Sequence, residues 1–504
     1  MDKTDITQVL NYIEENTRVS DQTTIEYLDL KNHMGRLVLK QNHVIFGRRG
    51  SGKSLLLKSL KEKNPNIACI KINLEDFKDI SFPNSIIQVL IGVIEQLSNT
   101  LSGQYKWYNF EYWKNGRGLI RDLKNQITLL NSRLLSPDQY DEVITNKTGE
   151  KYSGSGIVNS GGASFGAAGE VSAEVEITKD FRIDKLDILK NELPKIKNLI
   201  NSISAQLDKD IFLILDDFYF IRKGDQPYFI DFFHRMAKNT SLYLKVATIK
   251  HRSHLYVQSD TCIGIEIGHD AHDVNLDYSL ENFEALVNFM KDLLKHVNLK
   301  VGVDIDYDDL ITVNAFRFLC LASGGVPRDF FSLFISLGDL LGESKSITKP
   351  NVIERSIANK PNKLEAFKTD SAEEKYILEH YLQYIEAFVI TEKKWNSFLV
   401  SNSEVQRFPQ INQAIKELVD LRLLHIANSN MSAAHSDGTR YSAYMVDIGL
   451  FPNANPRGFT QVEPGQKDEQ HREDKIRSAP KINLINFQQE IESLNLAKSL
   501  KVTE

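Results

Sequence analysis

A glycine-rich octapeptide between a short apolar run and a helix-forming segment constrains this chain more than any other feature. Residues 43–47 read HVIFG, residues 47–54 read GRRGSGKS, and LLLKSLKEK follows. This fits the pattern GxxxxGK[ST] and predicts a strand, a loop and a helix in succession. In such a loop the backbone amides and the helix N-terminus attract phosphate, a lysine neutralises it, and a serine ligates magnesium. The predicted nucleotide-binding residues are Gly47, Gly50, Ser51, Gly52, Lys53 and Ser54, the last also as a Mg²⁺ ligand.

Further apolar runs alternate with helical segments. They lie at 67–74, 211–215 and 242–248. Continuous apolar runs in this order indicate a parallel sheet covered on both faces, and therefore an α/β fold. The run 211–215 ends at Asp216 and Asp217. An acid there can hold magnesium through water and the next acid can activate a water molecule, so we assign Asp216 to Mg²⁺ and Asp217 to the base role.

Composition narrows the class of protein. A chain of 504 residues has room for about three domains. Its net charge of −6, with a pI near 6.1, excludes a globally basic protein that coats nucleic acid. Cys69, Cys262 and Cys320 are too far apart for a CxxC pair and favour a reducing compartment. With no secretory signal or membrane span evident, we expect a cytoplasmic protein without a membrane partner.

Five motifs together resemble those of AAA+ ATPases: GRRGSGKS, KINL, LILDDF, LYLKVAT and SGGVPRDF. The resemblance covers about residues 30–450 and is to the replication-initiator (origin-recognition) branch and its relatives among signalling STAND ATPases. It implies an AAA+-type parallel sheet with a helical lid, ATP and Mg²⁺ as ligands, ATP hydrolysis and a homo-oligomer. It also implies Thr248 as a first sensor near the γ-phosphate, Arg328 as a second sensor on the lid, and Arg252 as a candidate finger reaching a neighbour's site.

The pattern along the chain predicts five regions. These are an N-terminal helical segment (1–29), a P-loop ATPase core (30–275), a helical lid (276–345), a winged helix (365–452) and a flexible tail (453–504). The winged helix is predicted from three helical segments, EEKYILEHYLQYI, EKKWNSFLV and INQAIKELVDLRLL, followed by the strands LLHIA and YSAYMVDIGLF.

The distance between the glycine-rich loop and Asp216 exceeds what a compact core needs, so we predict an insertion at about 98–206. Within it, residues 153–173 are rich in Gly, Ser and Ala, and apolar residues alternate from Val171 to Ile177. This alternation predicts an exposed hairpin, and a disordered linker is the alternative. The aromatic cluster at 105–113 either packs within its own subdomain or stacks on single-stranded nucleic acid.

The family usually has glutamate where this chain has Asp217, which is one methylene shorter, so we expect slow hydrolysis or binding without turnover. Two outputs remain open. One is a protein effector, in a bacterial defence or stress system, and the other is DNA bound by the helix near 406–423. This helix carries polar and basic side chains that suit DNA contact, but its acidic residues argue against DNA binding. The polar and basic residues are Arg407, Gln410, Asn412, Gln413 and Lys416.

A histidine and aspartate cluster at 269–273 superficially offers metal ligands. Its HDxHD spacing provides no helical face on which imidazoles converge. We therefore predict a polar loop there.

Overall fold

The computed structural model describes residues 3–17, 25–104, 116–149, 167–258, 262–341, 346–370, 375–466 and 474–491. The aromatic cluster at 105–113 and residues 153–166 of the Gly/Ser/Ala-rich stretch lie outside the described residues. Within the described ranges, no helix is long and apolar enough to cross a bilayer.

A parallel sheet of five strands forms the centre of the N-terminal half. The strands of this half are β1 (His43–Phe46), β2 (Ile67–Asn73), β3 (Asp210–Asp216), β4 (Leu242–Thr248), β5 (Tyr256–Gln258), β6 (Cys262–Gly264) and β7 (His272–Asn275). The sheet order is β2-β3-β4-β1-β7, and β5 and β6 form a separate antiparallel pair. The predicted α/β fold with a parallel sheet is therefore confirmed. The glycine-rich loop follows β1, which lies between β4 and β7. The loop is therefore at the carboxyl edge of the sheet, with a strand on each side.

Helices cover both faces of this sheet. They are α2 (His33–Leu37), α3 (Lys53–Lys63), α4 (Asn84–Gln104), α5 (Arg117–Gly149), α6 (Ala167–Leu207) and α7 (Gln226–Ala237), after a first helix α1 (Lys3–Asn16). Side chains of β3 alternate between the faces: Phe212 and Ile214 pack with α3, whereas Leu213 and Leu215 pack with α4, α6 and α7. Burial on both faces explains why β3 has an unbroken apolar sequence.

Two local predictions in this half are wrong. Residues 171–178 lie in α6, not in a strand of a hairpin. The segment contains strong helix formers such as Ala173 and Glu174, and its apolar residues also recur every four positions, as Val171 and Val175 do. Of the polar loop predicted at 269–273, His269 and Asp270 do lie in a turn, but His272 and Asp273 lie in β7. Their side chains are exposed because β7 is an edge strand, and an exposed edge strand has a polar sequence.

A helical body follows the sheet. Its helices are α8 (Phe283–Val301), α9 (Val313–Ala322), α10 (Pro327–Ser336), α11 (Gly338–Leu341), α12 (Lys349–Ala358) and α13 (Lys360–Asp370). The N-terminal helix α1 packs against α8, α10 and α11, with Ile6, Val9 and Ile13 buried in the same apolar core. A helix from the start of the chain thus belongs to the body that follows the sheet.

The C-terminal region contains a second, four-stranded sheet in the order β11-β8-β10-β9. Its elements are α14 (Lys375–Ile385), continued by a π-helical segment (Glu386–Glu392), then β8 (Ser397–Ser401), α15 (Asn402–Val405), α16 (Pro409–Asp420), β9 (Leu424–Ser432), β10 (Arg440–Val446), α17 (Asp474–Arg477) and β11 (Lys481–Ile482). The predicted helix over EKKWNSFLV is wrong, because Ser397–Ser401 pairs with β10 and β11. All five residues of β8 are buried, which favours a strand over an amphipathic helix.

The prediction of a flexible tail is also wrong for its described part. β11 pairs in parallel with β8, and a helix over 484–491 buries Leu484, Phe487 and Ile491. The Phe487 ring stacks on Tyr384 of α14 with centroids 4.1 Å apart. The sequence INFQQEIESL at 485–494 does indicate a short helix, but the pairing of β11 with β8 and the packing on α14 depend on contacts distant in sequence.

Candidate functional site

The glycine-rich loop is held at the carboxyl end of β1. The Gly47 amide donates to the Thr248 carbonyl of neighbouring β4 over 3.1 Å. Gly50 and Gly52 have φ angles of 90° and 96°, which are readily adopted only by glycine, and Gly52 caps α3. The Lys53 ammonium lies inside the loop and donates to the Gly47 carbonyl at 2.7 Å and the Arg48 carbonyl at 3.2 Å. Loop, helix N-terminus and lysine therefore converge as the sequence predicted.

The acidic end of β3 lies beside this loop. The Ser54 hydroxyl donates to Asp216 Oδ2 over 3.0 Å. Lys71 of β2 forms an ion pair with the same oxygen at 2.9 Å, and Asp216 is almost fully buried. Asp217 has a left-handed backbone with φ of 54°, and its amide donates to Asp216 Oδ1. Ser54 and Asp216, the two proposed magnesium ligands, are thus in direct contact, and the Lys71 ammonium pairs with the Asp216 carboxylate.

Arg328 lies on the opposite side of the loop, in the first turn of α10. Its amide donates to the Gly50 carbonyl over 3.3 Å. The Cβ of an alanine at position 50 would come within 2.8 Å of Arg328 Cβ and 3.0 Å of Val326 Cγ1. Only glycine therefore permits α10 to approach the phosphate loop this closely.

A cavity of about 260 Å³ lies between the loop and α10. Among its lining residues are six sequence-predicted ones: Gly50, Gly52, Lys53, Ser54, Asp217 and Arg328. Sequence reasoning missed the others that matter for its shape and charge: Ile13, Asn16, Thr17, Ile25, Arg49, Glu75 and Phe331. Arg49 lies inside the motif and was detectable. The rest come from α1 and the residue after it, the segment before α2, the turn after β2 and α10, and no local pattern links them.

The charges around the cavity shift each other's ionisation. Burial and the neighbouring Asp216 carboxylate raise the pKa of Asp217 to about 6, although Lys53 opposes this. Burial lowers the pKa of Lys53, while Asp217 and Asp216 act in the opposite direction. Burial, together with Arg49, lowers the pKa of Arg328. The guanidinium groups of Arg49 and Arg328 therefore repel each other across a confined space. A bound polyanionic phosphate would reduce this repulsion.

Thr248, the first-sensor candidate, and Arg252, the finger candidate, do not line the cavity. Thr248 is fully buried, and its hydroxyl is 2.5 Å from the Ser253 hydroxyl. The Arg252 guanidinium lies over the Tyr219 ring, 5.3 Å from its centroid, and Tyr219 does line the cavity. Arg252 thus packs against Tyr219 of its own chain, which lines the cavity, but does not itself line the cavity.

The donor set fits a nucleotide with magnesium. Ser54 Oγ and the Asp216 carboxylate are hard oxygen ligands of the type that Mg²⁺ prefers. Ser51 Oγ is buried and has no hydrogen-bond partner among the described residues, which suits a group that accepts hydrogen bonds from the loop. Within the described ranges, no cluster of three or more His, Cys, Asp or Glu side chains forms a separate metal site.

The C-terminal region contacts the loop that follows β4. The His251 amide donates to Asp420 Oδ2 at 2.9 Å, and Gln413 Nε2 donates to the His251 carbonyl at 2.8 Å. Lys223 forms an ion pair at 2.8 Å with Glu417, which is almost completely buried. Three polar side chains on one face of α16 are therefore used in contacts with the nucleotide-site half of the molecule.

A second contact connects the phosphate loop to the C-terminal sheet. Arg48, which is buried, donates through Nη2 to the Gly324 carbonyl at 2.7 Å. A Cβ on Gly324 would lie 2.1 Å from the His425 ring, so the two residues are closely packed. His425 Nε2 is 3.1 Å from Asp447 Oδ2, and Lys363 Nζ is 2.7 Å from the same oxygen. A continuous line of contacts thus runs from the loop to β9.

No protein-family model and no curated protein matches this chain. Among solved structures it is similar to a Walker-type ATPase of Pyrococcus abyssi, with a TM-score of 0.40 and 11% identity over 88% of this chain and 93% of the other. It is also similar to the ORC1 protein of Aeropyrum pernix in complex with DNA, with a TM-score of 0.32 and 10% identity over 89% and 90%. Neither likeness transfers a function to this chain.

Proposed function

We propose that this chain is an AAA+-type ATPase that binds ATP with Mg²⁺, hydrolyses it slowly and transmits its nucleotide state to a partner. The observation that carries the proposal is the hydrogen bond between Ser54 and Asp216, at 3.0 Å, in a cavity that Arg328 lines from the opposite side. A phosphate loop, an acidic strand end and a lid-borne arginine around one cavity are the parts that phosphoryl transfer needs.

Each side chain has a proposed role that follows from its place. The amides of the loop and Lys53 bind the phosphates, and Arg328 contacts them from α10. Ser54 and Asp216 hold magnesium, which when bound neutralises phosphate charge. Asp217 orients or deprotonates the attacking water, and Thr248, held by Ser253, acts as a sensor through the end of β4. The apolar side chains of Ile13, Ile25 and Phe331 offer a surface on which the adenine ring of ATP packs.

The output proposed here is a protein effector. Its support is the use of Gln413, Glu417 and Asp420 in contacts with the ATPase half, which removes much of the polar face of α16 from DNA contact. A movement of α10 on ATP binding would reach the same region, because Asp329 of α10 pairs with Arg422 at 2.6 Å. In a homo-oligomer, Arg252 is the proposed arginine finger that reaches the site of a neighbouring subunit. To do so, its guanidinium must first move away from the Tyr219 ring.

Initiator-like DNA binding is the alternative. Its support is that Arg407 and Gln410, at the N-terminal end of α16, are exposed, and that the β9–β10 hairpin follows the helix. Phosphate and base contacts from such residues would be strongly salt-dependent.

The test combines a nucleotide measurement with a partner measurement. We expect the chain to bind a fluorescent ATP analogue more tightly with Mg²⁺ than with EDTA and to release phosphate from ATP. Mass measurement by light scattering, with ADP or a non-hydrolysable ATP analogue, then reports self-assembly, and added duplex DNA at low salt separates the two outputs. Absence of ATP binding rejects the proposal, and ATP-dependent DNA binding favours the alternative.

A further inference from the structure

The turn after β2 places an acid beside the acidic end of β3. In the parallel register, Asn73 of β2 pairs with Asp216 of β3. The chain then continues into a short 3₁₀ turn, Leu74–Phe77, which contacts the corresponding turn after β3, Phe218–Phe220. Because neighbouring parallel strands end at the same edge, Glu75 and Asp217 leave the sheet side by side.

Glu75 is held in this position by Asn73, two residues earlier in the chain. The Asn73 side chain accepts a hydrogen bond from the Glu75 amide at 3.3 Å, which caps the turn. Glu75 lines the 260 Å³ cavity together with Lys53, Ser54 and Asp217. The next residue, Asp76, is exposed and does not line it. Of the two adjacent acids, the structure directs only Glu75 to the nucleotide site.

Asp217 also lines the cavity, but it does so from a left-handed turn and on a shorter side chain. Its left-handed backbone, φ 54° and ψ 45°, turns the chain away from the extended path of β3. Its side chain is one methylene shorter than glutamate, so its carboxylate extends less far into the cavity. Glu75 has the longer side chain and enters the same cavity from the neighbouring strand.

We propose that Glu75 is a catalytic residue that accepts a proton from the attacking water, with Asp217 orienting that water. This inference rests on the proposed ATPase function. In the step, the water oxygen bonds to the γ-phosphorus and the bond to the β,γ-bridging oxygen breaks. One proton of the water passes to the Glu75 carboxylate, and the bridging electron pair stays with ADP, so the products are ADP and phosphate.

Glu75 and Asp217 share the cavity with other charged side chains. Arg49, Lys53 and Arg328 line it with the two acids, and Asp216 lies directly below Asp217. The cations favour ionised carboxylates, whereas the acids disfavour one another. A substitution at either acid therefore changes the charge that the cavity presents to phosphate.

The experiment compares Glu75→Gln, Asp217→Asn and the matched control Asp76→Asn in the full chain. Phosphate release at saturating ATP gives kcat, fluorescent-analogue titration gives ATP affinity, and thermal melting checks folding. We expect Glu75→Gln to lower kcat about 100-fold or more, the size of a lost general base, with ATP affinity within about threefold of the native chain. Asp76→Asn keeps both values.

The remaining outcomes distinguish the two proposals. Asp217→Asn should lower kcat less than Glu75→Gln does, because Asp217 orients the water whereas Glu75 takes its proton. Native-level kcat in Glu75→Gln overturns the assignment. A native chain that binds ATP without releasing phosphate also overturns it but leaves ATP binding intact. Failure to bind ATP rejects the proposed function itself.

Discussion

The Arg328 amide donates to the Gly50 carbonyl over 3.3 Å, so the first turn of α10 rests directly on the phosphate loop. The same helix carries Asp329, which pairs with Arg422 of the C-terminal region at 2.6 Å. Two consecutive residues thus contact the proposed nucleotide site and the region proposed to carry the output. We expect a movement of the loop to be transmitted to this helix, because close-packed elements do not deform freely.

Gly50→Ala should disrupt this contact. The new Cβ would come within 2.8 Å of Arg328 Cβ, and φ of 90° strains any residue with a side chain. We expect a loss of about 1–3 kcal/mol in unfolding free energy and weaker ATP binding, measured by chemical denaturation and nucleotide titration. The control is Gly103→Ala, in the last turn of α4, where a Cβ meets no atom within 4 Å. Equal behaviour of both variants would contradict the contact.

Lys53→Ala should remove most of the ATP affinity. Lys53 is buried in the loop, and its ammonium is directed at the loop carbonyls Gly47 and Arg48. Charge-assisted hydrogen bonds are worth about 1.5–3 kcal/mol, so we expect affinity to fall roughly 10- to 100-fold. Titration with a fluorescent ATP analogue measures this. Lys61→Ala, on the exposed side of α3, is the control, and a similar fall in that variant would show that the effect is not specific to the phosphate loop.

The sequence was sufficient to predict the parallel sheet and the convergence of Lys53, Ser54 and Asp216. Apolar runs buried on both faces, and a glycine motif whose positive φ angles exclude other residues, are local signals with a physical cause. Arg328 was predicted through a family resemblance, and its approach to Gly50 follows only from the packing of α10. Pattern reasoning thus succeeds where one segment determines the geometry.

It failed where contacts distant in sequence decide. Ile13 lines the proposed nucleotide cavity because α1 packs on the helices after the sheet, more than 250 residues later. Glu75 lies there because β2 happens to neighbour β3. Residues 171–178 satisfied the period of a strand and that of a helix, so the sequence pattern alone could not separate them.

Phe487→Ala should destabilise the C-terminal region. The ring is fully buried and stacks on Tyr384 at 4.1 Å. Truncating a buried phenylalanine costs about 3–5 kcal/mol, measurable as a lower unfolding free energy in denaturant titration. The control is Ile485→Ala, two residues away and half exposed, for which we expect a change of about 0.5 kcal/mol or less. An unaffected Phe487→Ala variant would restore the prediction of a loose tail.

Asp420 is a buried acid at the contact between α16 and the loop after β4. Its carboxylate accepts the His251 amide at 2.9 Å, and burial raises its pKa to about 7 despite that hydrogen bond. Nearby charges are mixed: Asp277 raises the pKa further, whereas Arg48 and Arg252 lower it. The carboxyl is therefore neutral in the folded chain at a pH where it is ionised in the unfolded chain.

The stability of this contact should consequently fall as pH rises. A group whose folded pKa is raised stabilises the fold below its unfolded pKa, and this contribution is lost as pH increases through the folded value, here about 7. Asp420→Asn keeps an oxygen for the His251 amide but does not titrate. Between about pH 5 and pH 8, we expect the native chain to lose up to about 3 kcal/mol of unfolding free energy relative to Asp420→Asn. Denaturant titrations of both proteins across this range measure the difference. Parallel pH profiles would show that Asp420 ionises normally and that the contact with His251 is open to solvent. Asp217 titrates in the same direction with a pKa of about 6, but it is present in both proteins and cancels in the comparison.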